Sequence, residues 1–105
     1  MKVHLAAGFG GRLRGLLGRS SLPGSTEALL IAPCSDVHTF GMSRAVDLAF
    51  LDENGKVLLS RRGVPAGKRL KCPCAAFALE RFASDEDWLT EGELTRLELG
   101  SEVET

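Results

Sequence analysis

The apolar positions of the chain fall into short runs, and most of these have the length and spacing of β-strands. Val3 and Leu5 alternate with polar neighbours, which predicts a short first strand. Ala28–Ala32 is a continuous apolar run that Pro33 ends, and Val46–Leu51 reads as a second buried strand. Strands are therefore expected to outnumber helices.

The strongest local signal is Asn54-Gly55, which lies between Val46–Leu51 and Lys56–Leu59. Asparagine and glycine both tolerate positive φ, so this dipeptide between apolar runs predicts a tight antiparallel hairpin. Within Val46–Leu51 the alternation places Val46, Leu48 and Phe50 on one face and Asp47, Ala49 and Leu51 on the other.

Helical signals are weaker. Four apolar residues lie at helical spacing near the start of the chain, namely Phe9, Leu13, Leu16 and Leu17. Ser84 followed by three acids predicts a second short helix through Leu89, because serine caps and acids favour a helix N-terminus. Ala75–Phe82 fits either helix or strand. We expect a single α+β, β-dominated domain over residues 1–105: a small, mostly antiparallel, partly closed β-barrel with one or two short helices.

Composition and charge narrow the class of protein. The 105 residues are 44% hydrophobic and carry a net charge of −1, which suits one folded soluble domain and argues against a nucleic-acid partner. Residues 1–75 hold eleven lysines and arginines against five acids, and the remainder holds two against nine. No run is long enough for a membrane span and Met1–Gly11 does not read as a secretory leader, so we expect a cytoplasmic protein with reduced cysteines.

A series of motifs resembles a known family. The motifs run in this order: Arg14–Arg19, Leu29–Ile31, Cys34–Met42, Val46–Asp52, Gly55–Val57, Ala78–Glu80 and a closing strand after Gly92. Together they resemble the domain-of-unknown-function family 192 of bacterial and archaeal proteins. The resemblance implies a small β-dominated, barrel-like domain with one or two short helices, and it supplies no reaction.

The segment from Cys34 to Asp47 is the best candidate for a functional surface. If it is extended, His38, Phe40 and Met42 point one way, while Asp47 is an acid set in an apolar strand. A buried carboxylate needs a partner, so Asp47 either ties down the turn at Ser43 and Arg44 or joins a shallow pocket for a small polar ligand.

Glu80 could likewise have a structural or a ligand-binding role, because on a strand this acid would lie beside small residues. It either belongs to the ligand-binding set with His38, Phe40, Met42 and Asp47, or it pairs structurally with Arg61 or Arg62. The leading hypothesis is a non-catalytic module, without cofactor or metal, that binds a small polar ligand or a protein partner.

Two rival hypotheses remain. The first is a small hydrolase in which Asp47 and Glu80 act as acid and base with His38, which requires the carboxylates to converge. The second is a zinc-stabilised domain through Cys34, His38, Cys72 and Cys74. The ligand types suit zinc, but Cys72-Pro73-Cys74 leaves one residue between its cysteines where structural sites usually have two. A direct Cys34–His38 pair is disfavoured because positions four apart on a strand are roughly 13 Å from each other.

Overall fold

A computed structural model describes residues 1–6, 16, 21–22 and 24–99 of the protein. Eight strands are formed by these residues. In chain order they are β1 (Lys2–Ala6), β2 (Ala28–Ile31), β3 (Asp36–His38), β4 (Val46–Leu51), β5 (Val57–Val64), β6 (Arg69–Lys71), β7 (Phe77–Phe82) and β8 (Glu98–Leu99).

Six of the strands form one sheet in the order β5-β4-β7-β2-β1-β8, and β3 pairs with β6 in a separate two-stranded layer. The pairs β4–β5, β4–β7, β2–β7 and β3–β6 are antiparallel. The first strand runs parallel to both of its neighbours, β2 and β8. The sheet is therefore mixed, with antiparallel pairing from the β5 edge to β2 and parallel pairing from β2 to the β8 edge.

The prediction of a short helix over Ser84–Leu89 is wrong. None of the residues that the structure describes is helical, and so none belongs to a helix that could span a membrane. At Ser84–Leu89 the backbone carbonyls of Ser84 and Glu86 accept hydrogen bonds from the guanidinium groups of Arg62 and Arg81. These carbonyls are engaged by arginines rather than by the N–H groups of a following helical turn. Of the helix predicted near Phe9–Leu17, only Leu16 lies within the described residues.

The partly closed barrel is also wrong, because the six-stranded sheet is open, with β5 and β8 as its edges. We expected the sheet to close into a barrel because closure removes unpaired edge strands. In the structure each edge strand is instead protected by features of its own. The β8 edge is two residues long. The β5 edge carries exposed Arg61 and Arg62 and is interrupted by irregular register, both of which discourage pairing with another strand.

Apolar side chains cover both faces of the sheet. We call the face covered by the β3–β6 layer the front; its buried residues include Leu29, Ile31, Val46, Leu48, Phe50 and Ala78. The opposite face, the back, buries Val3, Ala28, Leu30, Ala49, Leu51, Val57 and Leu79 under Trp88, Leu89 and Leu97. The alternation predicted for β4 is confirmed by this division.

The predicted hairpin between β4 and β5 is confirmed. The N–H of Gly55 donates to the Asp52 carbonyl over 3.0 Å, and the Asp52 carboxylate accepts from the N–H groups of Asn54 and Lys56. Gly55 has a φ of +88°, and a Cβ there would lie 2.7 Å from the carbonyl oxygen of Thr95. Glycine is required at this turn for both reasons.

Candidate functional site

Asp47 is a buried carboxylate on the back of the sheet, with a side chain only 1% exposed. Its partner strand shifts register between Val46 and Leu48, which leaves a β-bulge on β5 at Gly63, where φ is +62°. Asp47 Oδ1 accepts a hydrogen bond of 2.9 Å from the Gly63 N–H. The carboxylate therefore satisfies a backbone group at the irregularity of the ladder.

The other oxygen of Asp47 is held by Arg81, its cross-strand neighbour on β7. Arg81 Nε donates to Asp47 Oδ2 over 2.8 Å, and its guanidinium carbon lies 4.6 Å from the centroid of a Trp88 ring. The same guanidinium donates to the Glu86 carbonyl. Both oxygens of Asp47 are engaged within the fold, by Arg81 and Gly63 rather than by the Ser43-Arg44 turn that the sequence suggested.

Glu80 is a buried carboxyl on the front of the sheet and is 6% exposed. Its cross-strand neighbours are Leu29 and Leu48. Among the described residues, its hydrogen bond is from the Leu16 N–H to Oε1, at 3.2 Å, and no ion pair is formed. Burial raises the pKa of Glu80 to about 7, against the opposing effect of the Leu16 hydrogen bond. Arg61 and Arg62, its suggested partners, bind Glu91 and backbone carbonyls instead.

A second buried titratable residue on the front was missed by the sequence analysis. His4 is 8% exposed and pairs in register with Leu29, which in turn pairs with Glu80. The row Leu48, Glu80, Leu29, His4 thus crosses four strands on one face, with the Cα atoms of Glu80 and His4 about 10 Å apart at the usual strand spacing. Alternation gave no signal for His4, because it groups this residue with Lys2 on the polar side of Val3 and Leu5, whereas in the structure His4 is buried and Leu5 is 39% exposed.

Asp47 and Glu80 lie on opposite faces of the sheet. Asp47 is opposite Arg81 and Leu48 is opposite Glu80, so the register alternates the two carboxylates between back and front. His38 belongs to the outer layer and is exposed. The convergence of His38, Asp47 and Glu80 that the hydrolase hypothesis required is not found.

His38 and Phe40 form an exposed aromatic pair on the outside of the β3–β6 layer. Their rings are stacked with centroids 5.1 Å apart, and Phe40 is 53% exposed. The intervening Thr39 is buried: its hydroxyl donates to the Pro65 carbonyl at 2.6 Å and accepts from the Lys68 N–H at 2.9 Å. The backbone beneath the pair is thereby fixed.

The surroundings of this pair are cationic. Lys68, Arg69 and Lys71 are exposed on or beside β6, and the single acid of the layer, Asp36, is bound by Arg69 at 3.1 and 2.6 Å. That contact lowers the pKa of Asp36. Met42, which the sequence grouped with His38 and Phe40, instead packs half-buried against the front core, because the chain turns at Gly41, where φ is +81°.

The cysteines do not form a metal centre with His38. Among the described residues, no three histidine, cysteine, aspartate or glutamate side chains are grouped closely enough to hold a metal ion. Cys34 and Cys72 pack against the front core, whereas Cys74 is exposed. Burial raises the pKa of the Cys72 thiol, with the nearby Cys74 adding to the effect. The arrangement gives no support to the zinc-stabilised domain.

Comparison with known proteins yields a family and a fold. The model of the domain-of-unknown-function family 192, described as "Uncharacterized ACR", matches residues 1–92. No curated protein matches the chain. A solved protein of unknown function from Novosphingobium aromaticivorans DSM 12444 is similar, with a TM-score of 0.64 and 17% identity over 77% of this chain and 62% of the other. A second structure, a "putative transcription regulator" from Sinorhizobium meliloti 1021, has a TM-score of 0.65 and 17% identity over 77% and 67% of the two chains.

At 17% identity these likenesses show the fold alone. The matched part spans less than two thirds of the length of the Novosphingobium protein.

Proposed function

The chain belongs to the domain-of-unknown-function family 192, and we propose that it is a non-catalytic binding module that docks a protein partner on the outside of the β3–β6 layer. We call this surface the platform and define it by His38, Phe40, Lys68, Arg69 and Lys71. Its two aromatic residues come from the predicted Cys34–Asp47 segment, and its three cations come from β6 and the residue before it.

The observation that carries the proposal is the exposed, stacked His38–Phe40 pair. Aromatic side chains contribute large contact areas at interfaces and are frequent binding hot spots. The hydrogen bonds of Thr39 fix the backbone under this pair, and stacking restricts both rings. A surface that is ordered before binding loses little conformational entropy when a partner docks.

Charge indicates the chemistry of the partner. Lys68 and Lys71 form no ion pair with any described residue, whereas the carboxylate of Asp36 is occupied by Arg69. The platform is therefore an apolar centre in a positive surround. An acidic segment with an apolar side chain complements it, and opposite charges would accelerate the encounter.

Of the five residues predicted to bind a ligand, the proposal keeps His38 and Phe40 as contacts and Met42 as support beneath the layer. Asp47 and Glu80 are outside it, since one is enclosed on the back and the other is buried under the front core. A protein partner is therefore favoured over a small polar ligand shared by His38, Asp47 and Glu80.

The test is a titration of ¹⁵N-labelled protein with a synthetic glutamate-rich peptide that carries one central phenylalanine. We expect chemical-shift changes confined to residues 36–42 and 68–71, and a Kd about tenfold weaker in Phe40→Ala. Phe40 is exposed, so its truncation should leave the fold intact. Leu94→Ala is the matched control, because Leu94 is 73% exposed away from the platform.

Equal affinity in Phe40→Ala and wild type would contradict the proposal. So would shift changes that map away from the platform.

A further inference from the structure

A wide cleft of about 720 Å³ opens at the end of β7, beside the starts of β1 and β2. Three of its lining residues are apolar, namely Met1, Leu22 and Phe82. The guanidinium carbon of Arg44 lies 4.2 Å from the centroid of the Phe82 ring. The volume lies within the range of sites that take up aromatic groups.

The rim of the cleft is acidic, with four carboxylates from Glu27, Asp85, Glu86 and Asp87. Arg62 and Arg81 reach this segment, but they donate to the backbone carbonyls of Ser84 and Glu86. None of the four carboxylates forms an ion pair with another residue in the described part of the chain.

The cleft and the platform carry net charges of opposite sign, and each also presents apolar side chains. The platform presents an exposed phenyl ring with cations beside it, and the lining of the cleft combines three apolar side chains with four acidic residues and one cation, Arg81. No platform residue lines the cleft, so one molecule displays both surfaces. Lys68 and Lys71 on the platform and the four carboxylates of the cleft form no ion pair within the described part of the chain, and their opposite signs favour approach of one copy to another.

We propose that the docking partner of the platform is a second copy of this chain, with Phe40 of one molecule seated in the cleft of the next. In this arrangement Lys68 and Lys71 face the rim carboxylates. The inference rests on the proposed binding role of the platform and deepens it by naming the partner. Because the two surfaces differ, the contact is head-to-tail and continues into rings or open chains unless it is blocked.

Two variants test the contact by blocking opposite halves of it. Phe40→Ala lacks the ring but retains the cleft, and the double variant Asp85→Lys, Asp87→Lys lacks the acidic rim but retains the platform. By analytical ultracentrifugation at low salt, we expect wild type to show a weight-average mass that rises with concentration. Each variant alone should remain a monomer, and their equimolar mixture should form a 1:1 dimer and nothing larger.

Salt and a second rim variant complete the experiment. Raising NaCl from about 0.02 to about 0.5 M should return wild type to monomer, since screening weakens exposed charge pairs. Glu27→Lys should weaken association in the same direction as the double variant, and Leu94→Ala should associate like wild type. Circular dichroism verifies that each variant is folded.

The inference is overturned if wild type stays monomeric at low salt, if Phe40→Ala associates normally, or if the mixture yields no dimer. The acidic-peptide titration is independent of these outcomes. A platform that binds the peptide while the chain stays monomeric would refute self-association and retain the binding module.

Discussion

Asp47 and Glu80 are both buried carboxyl groups at neighbouring positions of the central sheet, yet their surroundings are opposite. Asp47 is bonded by a guanidinium and by the N–H of a bulged glycine. Among the described residues, Glu80 is bonded by the neutral N–H of Leu16, and its cross-strand neighbours are leucines. A one-residue step in register separates them onto different faces.

The difference shows that a buried acid in an apolar strand does not by itself indicate one particular role. Asp47 has a structural role, because its carboxylate joins the bulge on β5 to Arg81 on β7. Glu80 lacks a counter-charge among the described residues, and burial raises its pKa to about 7. Buried titratable groups with a shifted pKa and no nearby counter-charge are candidates for functional positions. His4 lies on the same face of the sheet as Glu80, two strands away.

The largest expected effect comes from breaking the Asp47 contact. Asp47→Ala leaves Arg81 mostly buried without a counter-charge and removes the acceptor of the Gly63 N–H. We expect the free energy of unfolding, measured by urea denaturation, to fall by about 3–5 kcal/mol. A loss below about 1 kcal/mol would show that the pair contributes no more than an exposed one.

A smaller effect of opposite sign is expected at Glu80. An acid with a raised folded-state pKa binds its proton more tightly when folded, so the associated stability is complete below pH 4.5 and is lost as pH rises through 7. Glu80→Gln keeps an oxygen that can accept the Leu16 N–H and removes the charge. At about pH 9 the variant should exceed wild type in unfolding free energy by about 3 kcal/mol, with no difference at about pH 4.

Urea denaturation across this pH range measures the difference between wild type and Glu80→Gln. Glu53→Gln, at an exposed position of the hairpin, should follow wild type at every pH. A Glu80→Gln curve parallel to wild type would mean that Glu80 is ionised without cost in the folded protein.

The smallest effect is expected at Asp36, an exposed carboxylate that also binds an arginine. Its bidentate contact with Arg69 is as short as the Asp47–Arg81 contact, but both partners are open to solvent. We expect Asp36→Asn to leave the urea midpoint unchanged within error, because solvent and salt screen the pair. A clear loss of stability would show that geometry alone, without burial, decides the strength of these contacts.

Much of the local structure could be predicted. Alternation assigned the faces of β4, and Asn54-Gly55 assigned the hairpin. The segment Ala75–Phe82, which fitted either helix or strand, contains the strand β7. The helix at Ser84–Leu89 could not be excluded from sequence, since its capping signals are real. It is absent because Arg62 and Arg81, which come from two strands, bind the carbonyls of that segment.

The candidate sites were harder to predict than the strands. His38 and Phe40 were expected to point the same way from an extended segment, and in the structure their rings are stacked. Met42 was grouped with them because strand alternation was extended through Gly41, where the chain turns. The site hypotheses that required Asp47 and Glu80 to meet depended on the register of β4 against β7, which the periodicity of each strand does not determine.

By itself, then, the sequence determined the β-dominated class, the hairpin and the side of β4 on which each residue lies, because these follow from period and from local turn chemistry. The resemblance of its motifs also indicated the family. The tertiary structure alone decided which distant groups meet. Arg81 reaches Asp47 from 34 positions away and Leu16 reaches Glu80 from 64, while His4 joins its row through parallel pairing. Such contacts depend on strand order and register, and a one-residue change in register would exchange the front and the back of a strand.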